Sequence, residues 1–164
     1  MKMKGDGKMD ISKILDEQRI YFDLDVANKE EAIEALADML VKSEVLSSKE
    51  GFIKDVYLRE AEGKTGIGGG IAIPHGKSKS VLKTSLAIGR TKQPIPWESL
   101  DDDPVRCIIL FAVRDVDSTT VHIKLLGEIA GKLADEEIVE KLLTSRKPQE
   151  IISIFSQENE NLEG

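Results

Sequence analysis

The chain holds 164 residues, 40% of them apolar and 32% charged, with a formal net charge of −7 and a pI near 5.0. That balance is globular and fits one domain of ordinary size, while its acidity argues against a general affinity for nucleic acid. No apolar run approaches the roughly 18–20 residues of a membrane helix, and the single Cys107 forms no internal disulfide, so a reducing, cytoplasmic setting is expected.

Taken in order, "MKMKGDGKM" has lysines without an apolar stretch behind them, so residues 1–9 read as a flexible tail rather than a signal peptide. "RIYFDL" is a strand. Asn28 followed by Glu31 resembles a capping box. Behind it Ile33, Leu36, Ala37, Leu40 and Val41 recur at helical spacing, so a helix is expected over 29–45. Ser48 caps a second helix over 49–61 that faces Phe52, Ile53, Val56 and Tyr57 inward and carries Arg59 and Glu60 in its last turn. "GIGGGIAIPHGKS" follows, with Ile71–Ile73 as a short strand ended by Pro74. "TSLAIGR" and the almost wholly apolar "VRCIILFAV" are strands, the second central and covered on both faces. Between them "TKQPIPWESLDDDP" has the prolines and acids of a loop. Three helices then close the domain: "TVHIKLLGEIAGKLA", "DEEIVEKLLTS" and "PQEIISIFSQ", leaving 158–164 as a polar tail. Strands interleaved with helices indicate an α/β fold, a three-layer α/β/α sandwich with a mixed central sheet, over residues 10–157.

Several chemistries are excluded by spacing. A nucleotide phosphate loop ending at Gly76–Lys77–Ser78 needs glycine at position 71, which is isoleucine, and Pro74 removes a backbone N–H such a loop uses. Two histidines far apart and one cysteine in an apolar strand lack metal-ligand spacing, and no nucleophile elbow is present. No cofactor is implied. His75 remains. A strand stopping at Pro74 delivers it to a sheet's carboxyl end, where open α/β sheets place ligands, and the glycines beside it offer N–H groups to an anion. A neutral imidazole there is a competent nucleophile toward phosphorus.

From Gly63 to Trp97 the chain has no acidic residue although it holds 30, and the stretch carries Lys64, Lys77, Lys79, Lys83, Arg90 and Lys92. Either the gap is chance, or negative charge is kept from His75 because an anion is handled there. A solitary loop histidine is commonly a solvated bystander; the glycines, the proline and the acid-free stretch together point to function. His122 shares a helical stripe with Leu125, Leu126, Ile129 and Leu133. It reads either as a half-buried histidine bonded to backbone or as a partner of His75 that donates to a phosphoryl oxygen.

"REAEGKTGIGGGIAIPHGKS", with "HIKLLGEIAGKLADEEI" and "PIPWESLDDDPVRCIILFAV", resembles the fructose/mannitol-type enzyme IIA domain of the bacterial sugar phosphotransferase system, from about Ile11 to Ser156. The resemblance implies a phosphotransferase that works as a relay. The motif histidine, His75 here, accepts a phosphoryl group from the phosphohistidine of the carrier HPr and passes it to a cysteine of enzyme IIB, serving the membrane enzyme IIC indirectly. His122 matches the family's second active-site histidine, Arg59 its basic residue, and Thr65 the threonine that opens the glycine loop. Cys107, inside an apolar strand, is a core residue and not the enzyme IIB cysteine. Gly69 departs from the pattern, since asparagine is common there. The regulatory, nitrogen-related enzyme IIA shares the same histidine motif and stays open as an alternative, although "WESLDDDPVR" leans toward the transport type. So does a plain α/β binding module that takes no phosphate.

Overall fold

The computed structural model describes residues 11–117 and 120–156; the expected tails at 1–9 and 158–164 lie outside them. Eleven named strands and helices follow in chain order: β1 (Ile20–Leu24), α1 (Lys29–Lys42), α2 (Lys49–Glu60), β2 (Gly66–Gly68), β3 (Ile71–Ala72), β4 (His75–Ser78), β5 (Ser85–Ile95), β6 (Val105–Arg114), α3 (Thr120–Leu133), α4 (Glu136–Thr144) and α5 (Pro148–Ser156). The sheet order is β1-β5-β6-β3-β2, with β4 also on β6. β1/β5, β3/β6 and β4/β6 are parallel, whereas β5/β6 and β2/β3 are antiparallel. The sheet is therefore mixed, as expected.

Two-residue periodicity in β6 builds both cores. Cys107, Ile109, Phe111 and Val113 face one side with Leu125, Ile129, Leu142 and Ile151 of α3, α4 and α5. Ile108, Leu110 and Ala112 face the other with Leu36, Leu40, Phe52 and Val56 of α1 and α2. These are the three layers. Cys107 is fully buried, and burial pushes its thiol up to about 12, so it is an inert core group.

Local chemistry explains where the sequence-based boundaries hold and where they shift. Asn28 Oδ1 accepts from Glu31 N and Glu31 Oε1 from Ala27 N, a reciprocal cap that starts α1. The helix stops three residues earlier than its apolar spacing suggests. Glu44 takes φ 63°, Glu44 N donates to Val41 O and Val45 N to Leu40 O, a left-handed termination without the usual glycine. β5 runs to Ile95, through part of the segment expected as loop, with its register against β6 shifting between Arg90 and Ile95. β2 and β4 are additional strands. Each is only a few residues long, one built of glycines and the other following a proline, so neither shows the alternation that announces a strand.

Candidate functional site

Strand β3 stops before Pro74, but the chain resumes as β4 directly beyond it without changing register. Ile71 faces Cys107 and Ala72 faces Ile108; beyond the proline, His75 faces Phe111 and Gly76 faces Ala112 in unchanged register. Among the described strands β4 pairs with β6 and no other; Pro74 O accepts from Phe111 N at 2.9 Å, so the proline's nitrogen faces β6 as well and its missing N–H leaves one gap in a ladder whose register continues. His75 therefore stands inside an extended edge segment, beside the carboxyl-terminal part of β6, rather than just past a strand end. Alternation puts it on the α3 side with Ile71 and Ile73. Gly76 turns to the α2 side, where a Cβ would lie 2.9 Å from Val56 Cγ2 and 3.1 Å from Phe52 Cε1. Glycine at 76 thus lets α2, which carries Arg59, approach the strand that carries the histidine.

His75 is 5% exposed and His122, in the first turn of α3, 7%. Their ring centroids are 5.2 Å apart with the planes tilted by 48°, and His122 also sits 5.8 Å from the Phe111 ring. The structure thus brings the two histidines together across the 47 positions that separate them. His75 Nδ1 lies 3.2 Å from Ile73 O. A carbonyl can only accept, so Nδ1 carries the proton and the Nε2 lone pair is free of it. Burial lowers the His75 pKa to about 4, against the Ile73 carbonyl, with Arg59, His122 and Lys77 lowering it further. The ring is neutral at physiological pH, and the charges that bear on it are those of bases. The expected freedom from carboxylates holds at this position.

Arg59, in the last turn of α2, reaches His75 electrostatically and donates from Nη1 to Gly63 O at 3.2 Å. Thr65 is committed elsewhere. Its hydroxyl donates to Glu60 Oε2 at 2.7 Å and accepts from Trp97 Nε1 at 2.9 Å. Glu60 is closed from its other side by Lys29 Nζ at 2.9 Å, and Lys29 also pairs with Glu98 at 2.6 Å. Lys77, two residues beyond His75 on the same side of the strand, was visible only as a member of the acid-free stretch. Reading the strand through Pro74 would have singled it out. Nothing in the spacing announces Lys29 or Trp97, because they meet Glu60 and Thr65 only through the fold.

The glycines do not cradle an anion beside His75. Gly68, Gly69 and Gly70 have φ of 99°, 69° and 84° and form the tight β2–β3 turn. Gly69 N donates to Asp101 Oδ2 at 3.1 Å, and Gly70 O accepts from Arg106 N and Cys107 N at the start of β6, away from Phe111 and His75. A hollow of about 450 Å³ at that turn is lined by Ile67, Leu133, Val139, Asp101, Glu136 and Glu140, a carboxylate-rimmed surface that repels phosphate. The acid-free stretch also divides by role. Arg90 is buried, stacks on Phe22 and donates to Leu142 O and Ser145 O at the end of α4, so it serves packing. Among the described residues no cluster of histidine, cysteine and carboxylates is placed to hold a metal ion.

The family model for the phosphoenolpyruvate-dependent sugar phosphotransferase system, EIIA 2, matches residues 13–158. The chain belongs to this family. The fructose-specific EIIABC component of Bacillus subtilis is 32% identical over 91% of the chain, which spans 23% of that protein. The chain covers about a fifth of such multidomain relatives. The crystal structure of nitrogen regulatory protein IIA-Ntr from Neisseria meningitidis superposes with a TM-score of 0.81 at 31% identity, covering 88% of this chain and 98% of that one. Enzyme IIA for mannitol from Escherichia coli, in its complex with phosphorylated enzyme IIB, gives a TM-score of 0.71 at 27% identity, covering 84% and 94%.

Proposed function

We propose that this chain is a cytoplasmic phosphocarrier that accepts a phosphoryl group on His75 Nε2 from phosphorylated HPr and passes it to a cysteine of enzyme IIB, for fructose-type sugar uptake through the membrane enzyme IIC. The observation that carries the reading is the His75 ring itself, neutral, with its proton fixed on Nδ1 by Ile73 O and its neighbours basic. Nε2 attacks phosphorus as the donor's P–N bond breaks, and the electron pair of that bond returns to the donor imidazole; no proton has to leave Nδ1. Arg59 and Lys77 offset the charge of the phosphoryl oxygens, and His122 donates to one of them once the group is in place. The new P–N bond keeps the group transferable, so a thiolate can take it in turn.

The test uses phosphorylated HPr as donor. The protein should gain an acid-labile, alkali-stable phosphate that is absent in His75→Ala, and adding enzyme IIB should discharge it. Label that persists in His75→Ala would sink the assignment. A second reading is favoured by the close superposition on IIA-Ntr over nearly its whole length. In it the same phosphohistidine controls binding to protein partners. Acceptance from HPr without discharge by any enzyme IIB would favour that reading.

A further inference from the structure

We propose that Thr65 and Glu60 form a positioning staple, which sets the Arg59 guanidinium and the His75 imidazole relative to each other. The proposal rests on His75 as the phosphoryl acceptor, and it assigns Thr65 a positioning role rather than direct contact with phosphate. The connection from α2 to β2 spans residues 61–65, and the Thr65 Oγ1 to Glu60 Oε2 bond of 2.7 Å ties its far end back to the last residue of the helix. Arg59 immediately precedes that anchor, and its guanidinium donates to Gly63 O, the middle of the stapled loop. Thr65 also acts through its backbone. Its carbonyl accepts from Ile73 N at 2.9 Å, and Ile73 O is the group that holds His75 Nδ1. One residue therefore registers the cation on one side and the nucleophile on the other.

The staple is itself fixed. The Glu60 side chain is 5% exposed and neutralised by Lys29 from the first turn of α1, while Trp97 Nε1 donates to the hydroxyl. A buried carboxylate with both oxygens engaged has little freedom to rotate, which is what a positioning element needs. Packing of Phe52 and Val56 would hold α2 on the sheet without it. The angle at which Arg59 leaves the helix would then be unset.

The experiment compares Thr65→Val, Thr65→Ser, Glu60→Gln and Arg59→Met in the full chain by two readouts. The first is the NMR titration midpoint of His75, expected at about 4 with Arg59 in place. Thr65→Val should raise it by about half a unit or more as the guanidinium drifts away, and Thr65→Ser should restore it. The second is phosphoryl transfer from HPr. Thr65→Val should slow kcat by about tenfold with KM changed by less than about twofold, and the loss should not add to that of Arg59→Met. Should Thr65→Val fail to fold, Glu60→Gln carries the same expectation with a smaller shift. An unmoved midpoint, or effects fully additive with Arg59→Met, would overturn the staple. If the wild-type protein takes no phosphoryl group, the functional reading fails, and the titration still judges the staple on its own.

Discussion

The chain from Gly66 to Ser78 has a glycine end and a histidine end, and the two are built for different work. At the glycine end three consecutive residues with positive φ turn β2 into β3, with Asp101 accepting from Gly69 N. Three donors hold the Asp101 carboxyl below its usual range: the N–H groups of Asp103 and Gly69 and the Ser99 hydroxyl all donate to it, so it stays charged. At the histidine end no turn exists. The backbone runs straight through Pro74, and burial beside bases keeps an imidazole neutral. The more distinctive composition marks the turn, and the proposed phosphoryl acceptor sits one short strand further on. A motif read as one functional unit is a glycine turn joined to the strand that carries the proposed acceptor.

The largest expected contrast breaks the ends apart by function. His75→Ala should reduce phosphoryl acceptance below about 0.1% of wild type, because no other nucleophile replaces the ring. Gly70→Ala, at φ 84°, should lower stability by about 1–2 kcal/mol while the folded fraction accepts normally. Acceptance assays and urea unfolding on both variants give the comparison. A Gly70 variant that folds fully and accepts poorly would join the glycine turn to the site.

Acid should distinguish the histidine end next. The His75 pKa falls from an ordinary 6.5 to about 4 on folding. Between those values the unfolded chain binds a proton that the folded chain refuses, so stability drops as pH is lowered through the window. The stability is fully present above about pH 6.5, and the loss amounts to about 3 kcal/mol by pH 4. His75→Gln should be less sensitive over the same range. Urea midpoints at pH 7, 5.5 and 4 measure the difference, and parallel curves for the two proteins would show that the ring is not held neutral by the fold.

Gly76→Ala sharpens the comparison by moving the support of the site rather than the proposed acceptor. The added methyl meets Val56 Cγ2 at 2.9 Å and Val56 N at 3.2 Å, so α2 must shift as a body. The cost is about 2 kcal/mol in stability. Because Arg59 rides on α2, transfer should also slow, by about tenfold. Thermal unfolding and transfer kinetics should change together; a destabilised variant with normal kinetics would uncouple Arg59 from the approach of α2.

Much of this was legible in the chain because local patterns matched the fold. The caps at Asn28 and Ser48 and the almost wholly apolar run of β6 placed the layers and the starts of the long helices correctly. His122 was recoverable from its helical stripe with Leu125 and Ile129. The continuation past Pro74 was hidden, since proline usually punctuates a strand, and here the register on β6 continues although the proline leaves one ladder bond unmade. The Lys29–Glu60–Thr65–Trp97 network was hidden for another reason. Its members come from four separate segments, and burial of a paired charge leaves no periodic trace. The acid-free stretch mixed both cases, with Lys77 beside the ring and Arg90 holding the end of α4.

The smallest expected effect tests the division most directly. Gly69→Asn introduces the residue common at this position in the family pattern. At φ 69° the backbone lies in the left-handed region that asparagine tolerates best among residues with a Cβ. The new Cβ would meet Val139 Cγ1 at 3.8 Å, an ordinary contact, and the Gly69 N–H would still donate to Asp101. Strain from the positive φ is offset by the smaller freedom of the unfolded chain, so stability should stay within about 0.5 kcal/mol of wild type. Acceptance from HPr should be unchanged, since the added Cβ faces Val139 of α4 rather than the imidazoles. A clear change in transfer rate at constant stability would mean that the turn reaches the phosphoryl group, and the two ends would have to be treated as one site.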